Sequence, residues 1–113
     1  MVCQEVTTNR MWQFRKEGPF SSLDEADRYV AELNLDGYDD WRLPTKSELF
    51  DLFYIHYWKN DGTCMMNYKG EFWMVSKNHE PSLGHWEDDL LCGPEFKFVE
   101  SIKQDGFVRA VRP

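Results

Sequence analysis

Three groups of side chains in this sequence have the types and spacing to do chemistry. The first is the run Asp39-Asp40-Trp41-Arg42-Leu43-Pro44-Thr45, which sets two acids beside an arginine. A carboxylate next to a cation can serve as a general base when a cleft shifts its pKa. No second reacting group accompanies it here. The same residues read more fully as a structural corner: Trp41 and Leu43 turned inward, Arg42 donating to backbone carbonyls and a nearby carboxylate, and Thr45 capping a helix. The second group is the stretch 76–89, "SKNHEPSLGHWEDD", which holds His79, Glu80, His85, Trp86, Glu87, Asp88 and Asp89. Its acids suggest calcium, which takes roughly six to eight oxygen ligands. Its histidines with a carboxylate suggest zinc, although separated loop histidines are as a rule plain polar residues. The third group is Cys3, Cys64 and Cys92. A nucleophilic cysteine needs a thiolate-stabilising neighbour, and His85 is the nearest histidine to Cys92 in sequence.

The elements that must position these groups can be read from periodicity and caps. Residues 2–6 and 10–15 have the pattern of two short strands around a polar turn, and "EGPF" (17–20) breaks that pattern. "SLDE" (22–25) is a capping box between Ser22 and Glu25, followed by Leu23, Ala26, Val30 and Leu33 at helical spacing. That helix is expected to stop before "LDG", with Gly37 in the left-handed conformation that closes helix ends. "TKSE" (45–48) is a second capping box, and Pro44 prevents the helix from extending backwards. Leu49, Leu52, Phe53 and His56 form its apolar face. "EFWMVSK" (71–77) reads as a strand with Phe72, Met74 and Ser76 on one side and Trp73, Val75 and Lys77 on the other. Residues 78–94 read as loop. "EFKFVESI" and "FVRAVR" flank "KQDG", a hairpin signal in which Asp105-Gly106 would supply positive φ angles.

Composition bounds the rest. The chain has 113 residues, suiting one domain over 1–113, and is 16% aromatic, enough to build a core and to exclude disorder. No apolar run reaches the length of about 20 residues that spans a membrane, and the N-terminus lacks an apolar signal-peptide core. The net charge is −7. Direct binding to nucleic acid or anionic lipid is therefore disfavoured, because the lysines and arginines are not strongly clustered. Arg109 and Arg112 come closest to a basic group. The cysteine count is odd and no C-x-x-C pair occurs, so neither a zinc ribbon nor a thioredoxin-like site is supported. Three reduced thiols are expected, the alternative being one disulfide and a spare thiol.

The stretch "LDGYDDWRLPTKSELFDLF" (35–53) resembles the signature of the Lcl C-terminal domain of collagen-like adhesins. "MWQ" (11–13), Ala26, Tyr29 and Leu33 on the first helix, the pair Phe72-Trp73 and the ending "VRAVR" (108–112) add to the likeness in the right order. The resemblance implies a C-type-lectin-like fold related to that of formylglycine-generating enzymes, and glycan or protein binding rather than catalysis. Gly37, Trp41, Arg42, Leu43, Pro44 and Thr45 match its structural signature. Val30 and Ala110 stand where the family often has cysteines, which weakens the case for an oxidising, extracellular setting. The end of the chain lacks the cysteine pair of the formylglycine generators.

The resulting expectation is an α+β, C-type-lectin-like domain: two helices packed on a small antiparallel sheet with long loops. Its expected role is non-catalytic recognition of a protein or carbohydrate through the 76–94 surface, by Trp73, Lys77, His79, Glu80, His85, Trp86, Glu87 and Asp88. No resident cofactor is expected, calcium being the one ion considered for it. The alternative role is an acidic intracellular regulator that blocks a basic surface on a partner. A cytoplasmic location is favoured over secretion, and the oligomeric state is left open.

Overall fold

A computed structural model describes residues 2–5, 8–52, 69–89, 93–99 and 105–113; of 86–89 and 93–99 it describes the backbone alone. The order of elements is β1 (Val2–Gln4), β2 (Met11–Gln13), β3 (Glu17–Phe20), α1 (Leu23–Glu32), α2 (Lys46–Leu52), β4 (Phe72–Val75), β5 (Pro81–Asp89), β6 (Gly93–Val99), β7 (Gly106–Val108) and β8 (Val111–Arg112). The strands form two sheets, β1-β2-β8 and β3-β7-β4-β5-β6. The class is α+β, as expected. A single antiparallel sheet is not what forms, because β4 and β7 pair in parallel, with Phe72 opposite Phe107.

β4 explains the layering. All four of its residues are buried, and alternate side chains of a strand point to opposite faces. Phe72 and Met74 join one core with Cys3, Trp12, Leu49, Leu52 and Val111. Trp73 and Val75 join a second core with Ala26, Val30, Trp41, Leu43, Leu83, Val108 and Ala110. The alternation expected for this strand is therefore present, with both faces dry. α2 thus contributes to one core and α1 to the other.

Both helices start at the expected boxes. Ser22 Oγ accepts the Glu25 amide at 3.2 Å, but Glu25 returns its bond to the Ser21 amide at 3.1 Å rather than to Ser22. Thr45 and Glu48 close the second box reciprocally, at 2.9 and 3.3 Å. α1 ends at Glu32, earlier than expected, with Leu33 as an extended cap. Gly37 does not close it. Asp36 and Gly37, with φ of 55° and 84°, are the centre of a two-residue turn whose flanking Leu35 and Tyr38 exchange both backbone hydrogen bonds. Two successive positive φ angles are the signature of a type I′ turn.

The other Asp-Gly pair does not do what its sequence suggests. β7 does not pair with β6: it lies between β3 and β4, with β4 and β5 separating it from β6. Gly106 is required for space. A Cβ there would lie 2.4 Å from Leu83 Cδ2 and 3.0 Å from the Trp73 indole nitrogen. "EGPF" is strand rather than break, since β3 is the outer strand of the described sheet, where a proline sacrifices no ladder bond. Residues 81–89 are likewise strand, not loop: β5 pairs with β6 from Leu83↔Val99 to Asp89↔Gly93. Phe53 and His56 lie outside the described residues.

Gly106→Ala should cost about 2–3 kcal/mol through overpacking, whereas Gly37→Ala, with open space around it, should cost about 1–2 kcal/mol from backbone strain alone. Urea denaturation of the two variants checks this order.

Candidate functional site

The 39–45 run is a corner tied to three parts of the fold. Trp41 and Leu43 are buried in the second core, and the Trp41 indole donates to the Tyr38 carbonyl at 3.1 Å. Arg42 and Val111 exchange backbone bonds at 2.9 and 3.0 Å, and the Val75 amide donates to the Pro44 carbonyl at 3.0 Å. The Arg42 guanidinium grips Glu48 with two bonds of 2.8 and 2.7 Å and reaches the Leu43 carbonyl at 3.4 Å. Burial alone would raise the Glu48 pKa, but the bonds from Arg42 and Thr45 outweigh it and hold the carboxyl below its ordinary value. Asp40 accepts two bonds from Arg112, at 2.6 and 3.0 Å, which lower its pKa. That is the opposite of the upward shift that suits a carboxylate base at neutral pH.

The residues expected to bind ligand divide. Trp73 is removed from that role: it is fully buried and its indole donates to the Phe20 carbonyl at 3.1 Å. Lys77, His79 and Glu80 are exposed on the turn between β4 and β5. The Ser76 carbonyl accepts the His79 amide, the Ser76 amide donates to the Glu80 carbonyl, and His79 takes φ of 60°. This is a three-residue hairpin loop with a left-handed last residue, and histidine is among the residues that tolerate that conformation. His79 Nε2 lies 2.8 Å from Asp27 on α1, and His85 Nδ1 lies 2.7 Å from Glu71. The two histidines thus go to different carboxylates. Among the described residues no group of three His, Cys, Asp or Glu side chains is placed to hold a metal ion. Trp86, Glu87 and Asp88 lie on β5 opposite Phe96, Glu95 and Pro94; their side chains fall outside the described residues, as do Trp58, Cys64 and Cys92.

A family model described as the Lcl C-terminal domain matches residues 1–112. The chain belongs to the Lcl C-terminal domain family. Neither the curated proteins nor the solved structures compared with the chain give a significant match. In this Lcl C-terminal domain, Val30 and Ala110, the positions expected to carry cysteines in relatives, sit together in the second core. Cys3, in contrast, is disulfide-bonded, so three reduced thiols is not the state of this fold. Nor do Arg109 and Arg112 form a basic patch. Arg109 is fully buried and donates to the carbonyls of Gln13 and Phe14 at 3.1 and 3.0 Å. Arg112 stacks over the Tyr38 ring at 3.7 Å.

Two clefts flank Tyr29 and had no counterpart among the expected sites. One, of about 370 Å³, runs between the β2–β3 segment and the end of α1, walled by Phe14, Leu33 and Leu35 with Gln13, Arg15 and Glu17 at its polar side. The other, of about 330 Å³, lies against α1 between Phe20, Glu25, Arg28 and Glu32. Tyr29 packs on Phe20 with ring centroids 5.3 Å apart, and its hydroxyl accepts the Gln13 amide at 2.5 Å. Burial pushes the phenol pKa up, the Gln13 bond opposes this, and the Glu17 carboxylate adds to the rise. The signal available in the sequence was Tyr29 itself, three positions after Ala26 and four before Leu33, on the inward stripe of α1.

Because the Glu48 pKa is depressed in the folded state, its contribution is present above the ordinary carboxyl value and disappears as pH falls through the folded one. Glu48→Gln should therefore melt lower than wild type at pH 7 and lose less between pH 6 and pH 3, as thermal scans across that range would show. A thiol titration of the unreduced, denatured chain should find one reactive cysteine of the three.

Proposed function

We propose that this domain is a non-catalytic recognition module that engages a protein through the turn between β4 and β5 and the β5–β6 ribbon, with a carbohydrate as the other ligand class. The supporting observation is that the turn is both exposed and rigid. Lys77, Asn78, His79 and Glu80 face solvent, while the Ser76 hydroxyl accepts the amides of Asn78 and Glu80 at 3.2 and 3.1 Å and His79 is pinned to α1. Exposed polar groups on a fixed backbone lose little conformational entropy on binding, and binding residues concentrate on loops held by a rigid scaffold. The disulfide at Cys3 supports an oxidising setting for this role.

A second reading, an acidic domain that covers a basic surface on a partner, is favoured by the distribution of charge. Residues 17–40 hold eight acids and one arginine, a net charge equal to that of the whole chain. The remainder therefore balances, with twelve acids and twelve bases. Charge gathered on one face steers and selects oppositely charged partners.

Capture of partners from the native host by the immobilised domain, with mass spectrometry and a parallel glycan array, tests both. The first reading predicts that Lys77→Glu with Glu80→Lys, a swap neutral in net charge, abolishes capture without moving the melting temperature. It fails if the swap leaves capture intact. The second predicts capture that vanishes at about 0.5 M salt, where the screening length is only a few ångströms.

A further inference from the structure

We infer that the paired clefts on either side of Tyr29 form a docking groove for a basic segment of a partner protein, with an arginine as the side chain that enters. The inference gives the acidic-surface reading a place in the fold and so rests on that reading.

The groove has the two parts that such a segment requires. Its floor is apolar and aromatic: Phe14, Phe20 and Tyr29 are partly buried, and Leu33 and Leu35 line the end nearer Phe14. A guanidinium stacks on aromatic faces and is more weakly hydrated than an ammonium, so an arginine loses less on entering such a cleft than a lysine does. Its rim is anionic. Glu17 lines one cleft, and Glu25 and Glu32 line the other. Asp24, Asp36 and Asp39 are exposed on α1 and the segment after it.

The choice of occupant follows from charge complementarity. Among the acids in 17–40, Asp27 is matched within the fold by His79, Asp40 by Arg112, and Glu25 accepts the Ser21 amide. Arg15 and Arg28, which also line the clefts, stand against three carboxylates there. An anionic ligand would meet those carboxylates and a neutral one would leave them unused, whereas a basic segment uses both the rim and the rings. Tyr29 lines both clefts, so an extended segment that occupied the two would run past its ring.

Fluorescence anisotropy with a labelled nona-arginine peptide at low salt tests this, with nona-lysine as the equal-charge control. Two acids are reversed separately, Glu32→Lys at the groove and the half-exposed Asp51→Lys on α2, which packs in the other core. These change the net charge equally, and melting curves confirm that both variants fold. The groove predicts that Glu32→Lys weakens nona-arginine about tenfold, that Asp51→Lys changes it by less than about twofold, and that nona-arginine binds several-fold tighter than nona-lysine. Equal losses in the two variants would mean attraction by bulk charge and would overturn the groove while leaving the acidic-surface reading standing. Equal affinity for the two peptides would show that the rings are not engaged, and also overturns it. No binding of either peptide would overturn both the groove and the reading beneath it.

Discussion

The structure depends on a few backbone hydrogen bonds made by the corner between the two helices. The Arg42 peptide group bonds Val111 in both directions, and the Pro44 carbonyl holds the Val75 amide. These bonds join the middle of the chain to its last strand and to β4, the strand buried on both faces. Buried backbone groups left without partners are costly, on the order of 1–3 kcal/mol each. The corner therefore satisfies groups that β4 and β8 could not satisfy in their own sheets at those positions. Trp41 and Leu43 fill the second core from the same segment, while Arg42 and Thr45 both engage Glu48 at the start of α2. A reactive appearance and a structural role thus come from the same residue types, because a corner that stops one helix and starts another needs charged groups and hydroxyls to satisfy its backbone.

Charges elsewhere follow the same logic. Glu5 is fully buried and accepts the Trp12 indole at 2.9 Å and the Thr8 hydroxyl, with Arg10 at 3.3 Å. Arg10 extends to Asp51 at 3.4 Å and Glu48 at 3.8 Å, so the β1–β2 turn and α2 share one network. Arg109, buried beneath two carbonyls, also lies 5.4 Å from the Phe72 ring. Breaking a buried pair by removing one partner costs more than the pair contributes, which makes these residues intolerant of substitution without making them reactive. What remains for recognition lies outside this frame, on the β4–β5 turn and around α1.

Local features were legible in the sequence, and non-local ones were not. Both capping boxes and the first strand pair rest on contacts a few residues apart, and Trp41 and Leu43 were readable as inward from their residue types alone. The position of β7 rests on contacts with β3 and β4, far away in sequence, and no turn residue encodes them. Asp36-Gly37 and Asp105-Gly106 are the same dipeptide, yet one makes the tight turn and the other gives room to Leu83 and Trp73. Trp73 looked available for binding because alternation assigns sides without saying that both sides are covered. β5 looked like loop because its proline, glycine and charges are poor strand formers, and pairing with β4 and β6 overrode that tendency. The gathering of acids in 17–40 was countable, and the grooves beside it needed the packing of α1 on β3 to be seen.

The central claim is that the corner is part of the global fold and does not open by itself. Native-state hydrogen exchange at the amides of Arg42, Val75 and Val111 tests it most directly, since each is held by a bond to or from the corner. If the claim is right, all three amides exchange only through global unfolding, with an opening free energy equal to the stability measured by denaturation. Exchange of these amides through a smaller local opening, with β2 and β4 still protected, would contradict it.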